Sequence, residues 1–168
     1  LIDDLAAISG EAALIPVSAG IVPLPASDEG HADEADPTAE ADPAAEADHA
    51  HQGPDPHVWQ DTGNVVRWVD NIEATLSAAD SANAATYAAN ADVYRDELAE
   101  LDVFVRAQLA GIPAERRVLV TNHDTFAYFA AAYDFRVLGS VIPGASTLAE
   151  PTAANLAQLS RAMADADV

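Results

Sequence analysis

The sequence predicts an α/β protein with a parallel sheet, and three observations carry that prediction. Val118, Leu119 and Val120 form an apolar run of strand type. Phe126, Phe129, Ala130 and Tyr133 then fall on one helical face, and a second strand pattern follows over residues 136–142. Alternation of strand, helix and strand is the pattern of a βαβ unit with parallel strands. Ahead of it, Tyr87, Ala91, Tyr94, Leu98, Leu101, Val105 and Leu109 recur at three- and four-residue steps. That stripe marks a helix running from Asp80 and Ser81, which offer caps, to about Ala110, a span of roughly 40 Å at 1.5 Å per residue. A long helix of an all-α bundle is the competing reading, and the strand at Val118 decides between them.

The remaining elements follow in chain order. Leu1, Leu5 and Ile8 stand at i, i+4 and i+7 and read as the last turns of an amphipathic helix stopped by Gly10. Residues 14–17 make a short candidate strand weakened by Pro16, and Gly20, Pro23 and Pro25 mark a loop. Residues 28–54 are a mixture of Asp, Glu, Ala and Pro holding His31, His49 and His51, with too little apolar surface to offset the entropy of ordering. This segment reads as a disordered acidic loop able to gather cations loosely; a solvated linker with incidental histidines is the plainer alternative. Val65, Trp68, Val69, Ile72 and Leu76 then give a helix starting near Asn64. Gly111 and Pro113 end the long helix. Past the second strand, residues 146–151 form a loop, and Pro151 suits the first position of a helix that buries Leu156, Leu159 and Met163.

Composition narrows the chemistry. Seven basic residues, all Arg, stand against 28 Asp and Glu, a formal charge of −21. Such a balance disfavours nucleic acid and anionic membrane, which need Lys and Arg for phosphate contacts, and makes cations the natural partner. With no cysteine there is no disulfide and no thiolate site, so a bound metal must use His and carboxylate ligands. No apolar run approaches the roughly 20 residues of a membrane span. The absence of an initiating Met and of a signal peptide, with Leu1 opening inside a helical pattern, leads us to expect an internal piece of a longer protein.

Two histidines occupy site-like positions. In Asp55-Pro56-His57-Val58-Trp59-Gln60-Asp61, Pro56 fixes its own φ and pushes Asp55 into an extended conformation, so His57 follows a rigid dipeptide. In Thr121-Asn122-His123-Asp124-Thr125-Phe126-Ala127-Tyr128-Phe129, His123 sits where the predicted strand ends, the place where open α/β sheets bind ligands. Either histidine alone is more often a packed side chain than a ligand. These two motifs, in this order, together with Gly139-Ser140-Val141-Ile142-Pro143-Gly144 and Ser146-Thr147-Leu148-Ala149-Glu150-Pro151, resemble the metal-binding solute-binding proteins of ABC transporters, the zinc and manganese receptors.

The resemblance implies two α/β lobes with parallel sheets, both incomplete in this chain, joined by one long rigid helix. Residues 1–80 would be the second half of the first lobe, 81–112 the linking helix and 113–168 the first half of the second lobe. It implies His57 and His123 as metal ligands. Two further family ligands would come from positions before Leu1 and after Val168. It also implies an extracytoplasmic receptor, in the periplasm or as a cell-surface lipoprotein, monomeric at full length, that captures Zn2+ (or Mn2+) and hands it to an ABC permease without catalysis. A histidine at 123 favours zinc, since imidazole suits zinc better than manganese. The family's acidic His-containing insertion matches residues 28–54, with His31, His49 and His51 as an accessory metal-gathering set. Asp124 is expected to cap the next helix or orient the site, Glu150 to play a structural part, and Trp59, Phe126, Tyr128 and Phe129 to pack around the cleft and exclude water. Thr62 stands where the family commonly has Pro, which alters how the helix begins.

Two other classes remain open at this point. A zinc-dependent hydrolase needs a third ligand, an open coordination position and a general base, and no His-Glu-x-x-His or comparable compact motif is present. An acidic interaction module needs no metal at all.

Overall fold

The computed structural model describes residues 14–25, 53–142 and 151–168. The expected helix end at residues 1–10, the loop with His31, His49 and His51, and the Glu150 motif lie outside the described residues. The chain divides into two compact units, one holding residues 14–21 and 62–101, the other residues 22–25, 53–61, 102–142 and 151–168.

The first unit is built on helix α1, Thr62–Ala79, and most of helix α2, Ala84–Leu109. At 26 residues α2 spans about 39 Å. A single 3-10 turn, Ser81–Asn83, leads into it from Asp80. The Asp80 carboxylate accepts from Asn83 Nδ2 at 2.7 Å and from the Tyr87 hydroxyl at 3.0 Å. These two hydrogen bonds hold the Asp80 carboxyl below its ordinary value. Arg95 of α2 bonds Asp70 and Glu73 of α1 and Asp92 of its own helix, fastening the pair.

Two expectations fail in this unit. Residues 14–17 form no strand: Pro16 C=O accepts from Ala19 N–H at 3.0 Å and Ser18 C=O from Ile21 N–H at 3.1 Å, so the segment turns twice. Its remaining polar groups are met by α1, where the Asn71 amide donates to the carbonyls of Val17 and Ala19 and Trp68 Nε1 donates to Ser18 Oγ. The α2 stripe also holds only in part. Ala91 and Leu98 are buried, whereas Tyr94 and Leu101 stand 46% exposed.

In the second unit, β1 (Val118–His123) and β2 (Arg136–Ile142) pair in parallel, which removes the all-α reading. Val118 faces Arg136 and Leu119 faces Val137, but Val120 faces Gly139, so Leu138 is an extra residue bulged out of register. The connection is helix α3, Ala127–Tyr133, shorter than the expected start at Asp124 because Phe126, not Asp124, occupies its cap position. It ends at Asp134 in the left-handed region, φ 59°. Phe129 packs against Phe126, Tyr133 and Phe135 at centroid distances of 6.1, 4.8 and 5.8 Å. Tyr133 is buried, donates to Asp102 and lies under the Arg106 guanidinium. Helix α4, Ala153–Asp165, packs on β2 and is capped by Thr152, whose hydroxyl accepts from Asn155 N–H at 3.1 Å. Pro151 therefore precedes the cap instead of opening the helix. Leu159 is buried there, Met163 half-buried and Leu156 exposed.

Candidate metal centre

His57 is positioned by its two predecessors. Pro56 has no N–H and a fixed φ, and Asp55 folds its own side chain over the dipeptide. Asp55 Oδ1 accepts from the His57 backbone N–H at 2.8 Å, the turn that Asp makes with the residue two places on. The same oxygen lies 2.7 Å from His57 Nδ1. A carboxylate can only accept, so Nδ1 carries a proton, and in the neutral ring the lone pair is on Nε2. This is the tautomer and the second hydrogen bond that metal-bound histidines use, in which the carboxylate fixes the ring and raises its basicity. Asp55 and His57 are both buried, at 6% and 9% exposure.

After His57 the chain makes a 3-10 turn, Val58–Gln60, with Gln60 N–H returning to His57 C=O at 3.1 Å. Val58 is buried beneath the turn. Trp59 sets its indole edge-on to the imidazole at 5.3 Å.

His123 closes β1 at its carboxyl end, paired with Ile142. Strand alternation puts it on the same face as Thr121 and opposite Asn122, which is exposed. Thr121 Oγ1 and His123 Nε2 are the two buried side-chain polar atoms without a hydrogen-bond partner among the described residues. A buried imidazole nitrogen in that condition costs free energy unless something fills it.

The structure brings the two predicted histidines together within the second unit. Their ring centroids are 6.1 Å apart with planes at 89°. Two imidazoles on one tetrahedral zinc, with Zn–N near 2 Å, place their centroids roughly 5 Å apart, about 1 Å less than the separation seen here. The donor chemistry fits a borderline cation: one imidazole oriented by a carboxylate, and one with a buried nitrogen lacking a partner. No group of three or more His, Asp or Glu side chains that could hold a metal is present among the described residues.

Two expectations about the surroundings change. Trp59 and Phe126 are 48% and 36% exposed, so neither is shut away from water, while Tyr128 is buried and Phe129 half-buried. Sequence reasoning also missed the Asp55 carboxylate and the Tyr128 hydroxyl. The first had a signal, since an Asp two residues before a His across a Pro is placed to take its N–H. The second had none.

Known proteins resemble the chain in sequence and in fold. The sequence profile of a family described as ZnuA, "Zinc-uptake complex component A periplasmic", matches residues 2–168. The manganese-binding lipoprotein MntA of Bacillus subtilis is 44% identical over 93 residues, covering 55% of this chain and 30% of that protein. The high-affinity zinc uptake system protein ZnuA of Paracoccus denitrificans is 40% identical over 105 residues, covering 62% and 31%. Among solved structures, the periplasmic zinc-binding protein TroA from Treponema pallidum superposes with a TM-score of 0.70 at 27% identity, covering 99% of this chain and 52% of that one. The chain thus spans about half the length of this solved relative, and shares its α/β fold with a parallel sheet and a long helix.

Proposed function

Because the chain belongs to the periplasmic zinc-uptake complex component A family, we propose that it is part of an extracytoplasmic solute-binding protein that captures Zn2+ and delivers it to an ABC permease. The observation that carries this reading is the Asp55–His57 pair facing His123, with the His57 lone pair turned to Nε2 and His123 Nε2 buried and unpaired. Imidazole donors favour zinc over manganese, which is the alternative cargo and the one named for the Bacillus relative. The protein acts as a substrate-binding transport component, with no catalytic step. Residues 81–112 are the linking helix, and His31, His49 and His51 collect cations without building the main site. At full length the protein is a monomer that binds no nucleic acid, in keeping with its charge of −21. No helix among the described residues is long and apolar enough to cross a membrane.

Calorimetric titration of the full-length protein with Zn2+ and Mn2+ at one pH tests the proposal, with His57→Ala and His123→Ala alongside. Each substitution should weaken zinc binding at least tenfold. Unchanged affinity in either variant removes that residue from the site, and turnover in an ester and peptide hydrolysis screen would move the protein to the hydrolase class.

A further inference from the structure

Metal capture by His57 and His123 uses Tyr128 nowhere, yet its hydroxyl makes two hydrogen bonds next to them. Tyr128 lies in α3 and is 4% exposed. Its Oη donates to Asp55 C=O at 2.9 Å and accepts from Leu24 N–H at 2.9 Å. Leu24 C=O accepts in turn from Asp55 N–H at 2.9 Å. Asp55 is therefore held at both its backbone groups, once by the phenol and once by Leu24, and the phenol holds Leu24 as well. The Asp55 carbonyl belongs to the peptide bond of Pro56, whose φ is fixed, so pinning that carbonyl sets the direction in which His57 leaves the turn. The Asp55 carboxylate then fixes the imidazole. At its other end, Tyr128 is joined through the start of α3 to β1 and His123.

We infer that Tyr128 is a positioning residue for metal capture, its hydroxyl setting the distance between His57 and His123 by locking the Asp55 backbone to the helix that follows His123. It touches no metal and acts through Asp55 and His57. The inference rests on the proposal that His57 is a ligand. A phenylalanine at 128 keeps the ring and its packing and removes only the latch, so the effect belongs in zinc retention more than in folding.

The test is zinc release from the zinc-loaded full-length protein into excess chelator, with thermal unfolding measured in parallel. Tyr128→Phe should release zinc roughly 3- to 10-fold faster, below the 10- to 100-fold effect of removing a residue that orients a ligand directly, because it acts one step further out. In a His57→Ala background the same substitution should add little, because the hydroxyl acts on the metal only through that ring. Wild-type release from Tyr128→Phe, whatever its unfolding temperature, overturns the inference. So does an equal acceleration in both backgrounds, the mark of general loosening. Tyr128→Leu removes the ring too; faster release from Leu but not from Phe would assign the role to packing and also overturn it. His57→Ala keeps the two levels apart: unchanged zinc affinity there would sink the site itself, whereas loss there with no change in Tyr128→Phe would sink the latch alone.

Discussion

Replacing Asp55 by alanine should weaken zinc binding 10- to 100-fold without unfolding the protein. Asp55 Oδ1 takes two N–H groups of His57, at 2.7 and 2.8 Å, and a hydrogen bond to a charged acceptor contributes about 1.5–3 kcal/mol. Only the part that changes on metal binding enters the affinity. Zinc draws electrons from the ring and makes Nδ1–H a stronger donor, so the bond to the carboxylate strengthens in the bound state. The range of 10- to 100-fold corresponds to about 1.4–2.7 kcal/mol. Asp55→Asn keeps an acceptor but not the charge, and belongs at the low end. Competition with a chelator at one pH measures the constants, and 15N shifts of the His57 ring report the tautomer directly. In a His57→Ala background Asp55→Ala should cost almost nothing further, since the carboxylate works through that ring. Equal losses with and without His57, or a wild-type constant in Asp55→Ala, would refute the reasoning.

Deleting residues 28–54 from the full-length protein should leave tight zinc affinity nearly intact while lowering the number of weakly held ions, as counted by equilibrium dialysis; loss of tight binding would mean that a primary ligand lies there. Leu98→Ala should destabilise by about 2–4 kcal/mol in urea unfolding, because Leu98 is buried at 5% exposure, whereas Leu101→Ala, at 46%, should stay within about 0.5 kcal/mol. Asp80 has its folded-state value lowered, by its bond from Asn83 first and from Tyr87 second. Its stabilisation is therefore complete above the ordinary value of 3.8 and is lost as pH falls through the lowered one. Asp80→Asn should accordingly be less stable than wild type at pH 7, with the gap closing only below about pH 4, where acid titration of unfolding will show it.

The elements legible in the sequence were those with long, one-sided patterns. Both strands, the long helix and the crossover could be read from apolar runs or periodicity alone. Residues 14–17 could not, because three apolar residues around a proline fit a strand and a turn equally well. The turn is stabilised by Asn71 and Trp68, 54 and 50 residues on from their partners. Pro151 and Thr152 illustrate a finer limit: both are helix-start residues, and with Thr152 as the cap, its hydroxyl bonded to Asn155 N–H, the first helical residue moves from 151 to 153. At the site, both histidines were legible from their neighbours. Asp55 was seen only as the residue bent by Pro56, since its carboxylate matters through a contact and not through a spacing. Tyr128 was assigned to packing because its partners lie 73 and 104 positions away in the chain, and local sequence has no means of expressing such a bond.

The indole of Trp59 gives the site a built-in optical gauge. It stands edge-on to the His57 ring at 5.3 Å and is about half open to solvent. A dication arriving on that imidazole changes the field across the indole, and any closure over the histidines shields it from water, so both its emission wavelength and its quenching by an aqueous solute should follow occupancy. Trp68, the other of the two tryptophans, donates to Ser18 and offers an internal reference colour. With His57 as the proposed ligand, metal arrival and departure should thus be readable on the unlabelled protein by light alone.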